Sequence, residues 1–251
     1  MDWYTKISLF LLAYGLLLWP ILLFVDAPYG KRDRDGWGPG LPVRLSWLLL
    51  EVPSFAVPLW ILVSAQSLPG LPGCILLLFW MGHYFHRSFI YPLSLRPKPG
   101  ASFKLIVLIM GAPMNAMIGW MIAMMAFSEE HLQSAAWLAS PQFVLGMLLF
   151  AVGFTLTKWS DGVLRRLRAP GDAGYYIPGG GLYRQISCPN YFGEILQWFG
   201  FALASWSLAG LAFALYTAAN LVPRAIASHA WYRQQFQEYP ESRKAVIPYI
   251  L

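Results

Sequence analysis

The sequence predicts an all-α integral membrane protein, a single bundle of seven transmembrane helices, on three observations. Of its 251 residues, 57% are hydrophobic and 12% are charged, the latter about half the fraction found in soluble domains. The hydrophobic residues form seven stretches, each near the ~20 residues that cross a bilayer. The basic residues lie between alternate stretches. This composition excludes an ordinary cytosolic enzyme, a disordered segment and a disulfide scaffold.

The seven stretches follow one another with short breaks, at 5 to 25, 45 to 65, 72 to 93, 103 to 127, 141 to 164, 190 to 206 and 208 to 235. The first is predicted to be a retained helix rather than a signal peptide, because Asp26 and Pro28 follow it in place of a cleavage site. Proline and glycine at 69–73 and 97–100 predict turns on either side of the third stretch. The sixth stretch is short, and the last continues into a polar, amphipathic end.

The distribution of basic residues predicts the orientation of the bundle. Of the 18 Lys and Arg residues, all except Lys6 fall in the first, third and fifth connections, at the adjoining helix ends, or near the C-terminus. They are Lys31, Arg32, Arg34, Arg44, Arg87, Arg96, Lys98, Lys104, Lys158, Arg165, Arg166, Arg168, Arg184, Arg224, Arg233, Arg243 and Lys244. The positive-inside rule then places the C-terminus in the cytosol and the N-terminus outside or in the lumen. Topology, rather than nucleic-acid binding, accounts for the net charge of +6.

The two cysteines offer neither a disulfide nor a metal site. Cys74 is predicted near the outer end of the third helix and Cys188 in an inner loop, too far apart to pair. The sequence lacks the paired Cys or His spacing of zinc sites, so no metal is expected.

Ionisable residues inside the hydrophobic stretches are the first functional candidates, because they are costly in a membrane. Glu51 lies about two turns into the second stretch. Tyr84, Arg87 and Tyr91 follow at i, i+3 and i+7 in the third stretch, with histidines beside them. This face is either an aromatic and basic belt at the interface or a polar surface turned inward to meet Glu51.

Three further polar stripes lie at the inner ends of later stretches. The fifth carries Thr157, Asp161, Arg165 and Arg168, the sixth Asn190, Glu194 and Trp198, and the seventh Arg224, Ser228 and Tyr232. The stripe in the fifth stretch is equally consistent with a salt-bridged helix end. Together the stripes favour an anionic ligand from the cytosol, since arginine binds phosphate bidentately. The glycine run at 179–181 lacks the context of a P-loop or a Rossmann fold.

The order of these motifs resembles the steroid 5α-reductase (3-oxo-5α-steroid 4-dehydrogenase) family, most closely its type 2 members. The resemblance covers nearly the whole chain, through LPVRLSWLLLEVPSFAVP, HYFHRSFIYPL, GGLYRQISCPNYFGEILQWFGFALASWSLAGLAFA and EYPESRKAVIPYIL. It implies a membrane enzyme that reduces the Δ4 double bond of a 3-oxosteroid with NADPH.

The resemblance also implies roles for individual residues. Glu51 and Tyr84 fall on the catalytic positions that contact the steroid carbonyl, and Trp47 and Phe55 on further substrate-binding positions. The NADPH-binding positions, together with neighbours on the same stripes, fall on Arg87, Thr157, Asp161, Arg165, Arg168, Tyr175, Asn190, Glu194, Trp198, Arg224, Ser228 and Tyr232. In the single domain, 1–251, the first half would then bind mainly steroid and the second mainly NADPH.

Three positions depart from the family pattern. Leu50 stands where the family has Gln before the catalytic Glu, which bears on carbonyl geometry or steroid preference. Tyr176 replaces an Arg and Thr157 replaces an Asn, and both changes bear on how the nucleotide is held.

Other functions remain open at this stage. Isoprenylcysteine methyltransferases bind S-adenosylmethionine in a comparable site at the end of a helical bundle, and sterol reductases acting on C14 or C7 bonds share the PNYFGE-like segment. In a transporter or lipid-binding scaffold, Glu51 and Glu194 would serve as a proton relay, although no inverted repeat is visible.

The expected partners are steroid and membrane lipid, without nucleic acid or an obligate protein partner. The expected location is the endoplasmic reticulum membrane of a eukaryote or the inner membrane of a bacterium.

Overall fold

The computed structural model describes residues 2–24, 38–97, 100–167, 169, 172 and 174–251, and these are mostly helical. The helices are α1 (Trp3–Phe24), α2 (Val43–Ser64), α3 (Leu71–Phe85), α4 (Tyr91–Ser94), α5 (Leu105–Ser128), α6 (Pro141–Arg166), α7 (Pro189–Ser205) and α8 (Leu208–Gln235). Two short strands, β1 (Gly40–Pro42) and β2 (Ser102–Lys104), pair antiparallel with Leu41 opposite Phe103. Three 3₁₀ turns lie at Glu130–Gln133, Ala135–Ala139 and Gly181–Arg184.

The observed helices confirm an all-α protein and coincide with the predicted stretches to within about two residues at most ends. Five of them, α1, α2, α5, α6 and α8, are long and apolar enough to cross a membrane. The other two are shorter, as predicted for the sixth stretch but not for the third. Regular α-helix in α3 covers 15 residues, and α7 has 17.

A π-helical turn at His86–Ile90 joins α3 to α4 without breaking the helix. The Tyr91 N–H donates to the carbonyl of His86, five residues back. Such turns widen a helix locally and are frequent at functional sites. This one contains Arg87, one of the predicted site residues.

The helices pack in pairs, α1 on α8, α2 on α5 and α6 on α7. The α6–α7 contact depends on glycine. A Cβ on Gly153 would collide with the backbone of Gln197, and a Cβ on Gly193 would lie 2.8 Å from the N of Thr157. Small residues of this kind let membrane helices approach backbone to backbone. The polar stripes of α6 and α7 are consequently held close together.

Helix α3 is hydrogen-bonded to α2 at a carbonyl that a proline leaves without its helical partner. Because Pro58 has no N–H, the carbonyl of Ser54 lacks its usual helical partner. The indole Nε1 of Trp80 donates to that carbonyl at 2.8 Å. Trp80 is fully buried among Trp198, Phe201 and other aromatic rings, so this bond lies in the core of the bundle.

The segment after α8, 236–251, folds back over the start of α7. The N–H groups of Ser187 and Cys188 donate to the carbonyls of Lys244 and Ala245, at 2.8 and 3.1 Å. Cys188 is buried beneath it, and both cysteines are free thiols. The C-terminal segment therefore covers the end of the bundle that carries the polar stripes.

Candidate active site

A buried ionic cluster joins three helices. Arg87 Nε lies 3.2 Å from Oε1 of Glu51 on α2, and its Nη1 lies 3.6 Å from Oε2 of Glu194 on α7. Glu51 is only 7% exposed. Of the two interpretations of the third stretch, the inward-facing polar surface is confirmed. Arg87 thereby connects the predicted steroid-binding half of the chain to the predicted cofactor-binding half.

Tyr84 lies beside this cluster in an aromatic environment. It is 6% exposed, its ring centroid is 4.7 Å from that of Trp80, and it stacks on Trp198 at 6.1 Å. A hydroxyl in such a dry setting makes stronger electrostatic interactions than it would in water. Tyr84 is therefore suited to donate a hydrogen bond to a buried ligand oxygen.

Aromatic side chains on α2 extend the site on both sides of Glu51. The guanidinium of Arg87 lies 5.0 Å from the ring centroid of Trp47, whose ring meets Tyr91 edge-on at 5.5 Å. One turn beyond Glu51, Phe55 contacts Phe85 and other rings of the α3 segment. These predicted substrate-binding residues lie along the α2–α3 contact, next to the ionic cluster.

The predicted cofactor residues of α6 and α7 meet across the glycine contact. Asn190 Nδ2 donates to Oδ1 of Asp161 at 3.2 Å. The hydroxyl of Thr157 donates to the carbonyl of Gly153 and reaches that of Asn190, at 2.9 and 3.2 Å. Thr157, at the position where the resemblance predicted an asparagine, thus contacts the main chain of Asn190.

The remaining predicted cofactor residues lie around the inner end of α8. Ser228 is buried and Arg224 is half-buried. Tyr175 packs on Trp231 at 4.9 Å, and Tyr232 stacks on Tyr239 at 5.3 Å. Arg165 is exposed at the end of α6, and Arg168 lies outside the described residues.

The two other residues that the resemblance marks as departures, Leu50 and Tyr176, both have contacts in the structure. Leu50 packs against Gly111 of α5, where a Cβ would meet its Cδ1 atom. Tyr176 is exposed and donates to Oδ2 of Asp172 at 2.8 Å. That carboxylate raises the pKa of the Tyr176 hydroxyl, because ionisation would place two negative charges together.

Two polar pairs were not predicted from the sequence. Gln197 Nε2 lies 2.8 Å from Nδ1 of His83, and both side chains are buried. The His83 ring meets that of Tyr84 edge-on at 5.1 Å. Lys158 Nζ lies 3.1 Å from Nδ1 of His86. The histidines were visible beside the Tyr84 stripe, but no spacing links them to partners more than 70 residues away.

The fold and these contacts define the class of protein. A bundle of apolar helices encloses a tyrosine, two carboxylates and a guanidinium, with hydrogen-bonding stripes at one end. Groups arranged in this way suit an enzyme that acts on an apolar substrate beside a polar cofactor.

Comparison with known proteins shows that the chain belongs to the steroid 5α-reductase family, as the sequence predicted. The family model described as 3-oxo-5-alpha-steroid 4-dehydrogenase matches residues 101–251. Steroid 5-alpha-reductase DET2 of Gossypium hirsutum is 39% identical over 98% of this chain and 96% of its own length. For 3-oxo-5-alpha-steroid 4-dehydrogenase 1 of Bos taurus the values are 38%, 95% and 93%. For 3-oxo-5-alpha-steroid 4-dehydrogenase 2 of Macaca fascicularis they are 40%, 96% and 93%.

Proposed function

We propose that this protein reduces the Δ4 double bond of 3-oxo-Δ4 steroids to 5α-reduced 3-oxosteroids with NADPH. The observation that carries the proposal is the bridge from Glu51 through Arg87 to Glu194, beside the buried Tyr84. It brings the predicted carbonyl-binding residues next to the predicted cofactor stripe of α7. The names of the relatives support the same reaction.

The proposed chemistry requires a stabilised oxygen on the substrate. As C5 of the enone accepts hydride, the electrons of the double bond move toward the C3 oxygen, and C4 then takes a proton. Tyr84 donates a hydrogen bond to that oxygen. Glu51 polarises it by donating a second hydrogen bond, which requires the protonated form of its carboxyl group. Arg87 holds the Glu51 carboxyl in position. Preorganised donors in a dry site contribute most when charge develops on the oxygen.

The described residues fit NADPH in their chemistry. Asp161, Asn190 and Glu194 line the facing sides of α6 and α7, and Tyr175 and Tyr232 add aromatic surface near Arg224. When bound, the cofactor supplies the hydride. The helices position the cofactor next to Tyr84 and exclude water from the site.

We also propose that all seven helical segments cross the bilayer, although α3 and α7 are shorter than the other five. In α3 the π-helical turn and α4 continue the helix to Ser94. Most of α7 is apolar, and three of its polar side chains, Asn190, Glu194 and Gln197, contact other helices of the bundle. The surrounding lipid would contact the exposed apolar side chains of α1, α2 and α6.

The proposed reaction is tested with purified protein and testosterone or progesterone. We expect a 5α-reduced 3-oxosteroid and faster turnover with NADPH than with NADH. Tyr84→Phe should lower turnover on the order of a hundredfold to a thousandfold, because one transition-state donor is lost while the ring remains. Glu51→Gln should also lower it. The NADPH dissociation constant and melting temperature of Tyr84→Phe should stay near wild type, and near-normal turnover would remove Tyr84 from the mechanism.

A further inference from the structure

We propose that Arg243, in the segment after α8, binds the 2′-phosphate of NADPH. This inference rests on the cofactor of the proposed function. The Arg243 side chain is 6% exposed, and its Nε and Nη1 atoms have no hydrogen-bond partner in the part of the chain that the structure describes. Buried charged groups are normally paired, so two unpartnered donors on one guanidinium indicate an anionic ligand.

The charges near Arg243 would strengthen the attraction for an anion. Lys244 follows Arg243 directly in the chain, so the segment carries a second cation next to the buried guanidinium. The acidic side chains of this segment, Glu238 and Glu241, are exposed to solvent. Positive charge therefore accumulates around the buried guanidinium without a described acidic partner for it.

A hydrogen-bonded frame fixes the segment that carries Arg243. The hydroxyl of Ser187 lies 2.7 Å from Nδ1 of His229 and 2.6 Å from the hydroxyl of Tyr239. The same hydroxyl donates to the carbonyl of Lys244 at 3.1 Å. Fixing the segment on both sides of Arg243 limits the movement of its guanidinium, which favours a specific contact over a diffuse surface charge.

A stack of planar groups leads from Arg243 to the proposed cofactor site. The guanidinium carbon lies 5.0 Å from the ring centroid of Tyr239. The Tyr239 ring stacks on that of Tyr232 at 5.3 Å, with 13° between the ring planes. Tyr232 is one of the predicted NADPH-binding residues, so Arg243 lies one aromatic ring away from that surface.

The ligand chemistry that suits Arg243 is a phosphate group, which a guanidinium binds through two parallel N–H donors. Two sources offer it at this end of the bundle, the 2′-phosphate of NADPH and the head groups of anionic lipids. A head group would meet the exposed Arg233 before the buried Arg243. The burial of Arg243 and its link to Tyr232 favour the cofactor.

The test measures binding of NADPH, NADH and 2′,5′-ADP to protein in nanodiscs of zwitterionic lipid. Arg243→Gln should weaken NADPH and 2′,5′-ADP binding by about tenfold or more, as expected for losing a charge-assisted hydrogen bond, and leave NADH binding near wild type. Arg243→Lys should recover part of the loss. Arg233→Gln is the matched control, because it removes one exposed charge from the same end of α8, and its NADPH affinity should remain near wild type.

Equal weakening of NADH and NADPH, or no weakening, would overturn the assignment. The assignment would also be overturned if Arg243→Gln lost the stability that anionic lipid gives the wild type in nanodiscs while its NADPH affinity stayed unchanged. If Arg243→Gln does not fold, hydrogen exchange on the wild type decides the question. There 2′,5′-ADP should protect residues 239–246 more than ADP does, and equal protection would contradict the proposal. Wild-type protein that binds no NADPH would instead refute the proposed function itself.

Discussion

Arg87 and Glu51 form an ion pair of 3.2 Å between the π-helical turn after α3 and the middle of α2. The other end of the guanidinium faces Glu194 at 3.6 Å. One cation thus separates two carboxylates inside an apolar bundle. The arrangement makes Arg87 a determinant of both stability and site geometry.

Removal of Arg87 should destabilise the bundle because two buried carboxylates would then face each other uncompensated. Arg87→Met is expected to cost about 3–5 kcal/mol of unfolding free energy, as found when one member of a buried pair is removed. Adding Glu51→Gln and Glu194→Gln should restore most of the loss. The free energy of unfolding in detergent measures both effects. A triple variant as unstable as Arg87→Met would show that the stability is lost through packing and not through charge.

The close contact between α6 and α7 predicts that replacing a glycine by alanine lowers stability only where that glycine lies in the contact. Gly153→Ala would press a methyl group into the backbone of α7 and is expected to cost about 1–3 kcal/mol. Gly82→Ala on α3 is the matched control, since nothing lies within 4 Å of its Cβ position. That change should be neutral or stabilise by up to about 1 kcal/mol. Equal melting temperatures for the two variants would contradict backbone contact between α6 and α7.

Much of the architecture was predictable from the sequence because hydrophobic length and charge position directly constrain a membrane helix. The inward direction of Glu51 followed from the cost of a carboxylate in lipid. The π-helical turn could not be predicted, because the residue pattern does not show whether an N–H donates to the carbonyl four or five residues back. The Gln197–His83 pair and the buried state of Arg243 were also missed, since both depend on packing between distant segments.

The orientation of the bundle remains a prediction from charge. The C-terminus should face the cytosol and the N-terminus the opposite side, because almost all basic residues lie on one side. Cysteines introduced near Asp2 and Leu251, in a background with Cys74 and Cys188 replaced by alanine, can be labelled from either side of sealed vesicles. Reaction of both ends from the same side would refute the predicted topology.

The bond from Trp80 to the Ser54 carbonyl predicts energetic coupling with Pro58. In Trp80→Phe the carbonyl loses its indole donor inside the bundle, at a cost of about 1–3 kcal/mol in addition to the lost ring volume. Pro58→Ala provides a backbone N–H at the position where a regular helix would donate to Ser54. Trp80→Phe should therefore cost less in the Pro58→Ala background than in wild type.

The coupling energy between these two changes reports on the hydrogen bond to the Ser54 carbonyl alone, because the cost of the lost ring volume is the same in both backgrounds and cancels. We expect a coupling energy of about 1–2 kcal/mol from the four unfolding free energies of the double-mutant cycle. Trp80→Leu, which also removes the donor, should show the same coupling. If the costs of Trp80→Phe and Pro58→Ala simply add, the indole bond does not replace the missing helical hydrogen bond, and Trp80 stabilises the core by packing alone.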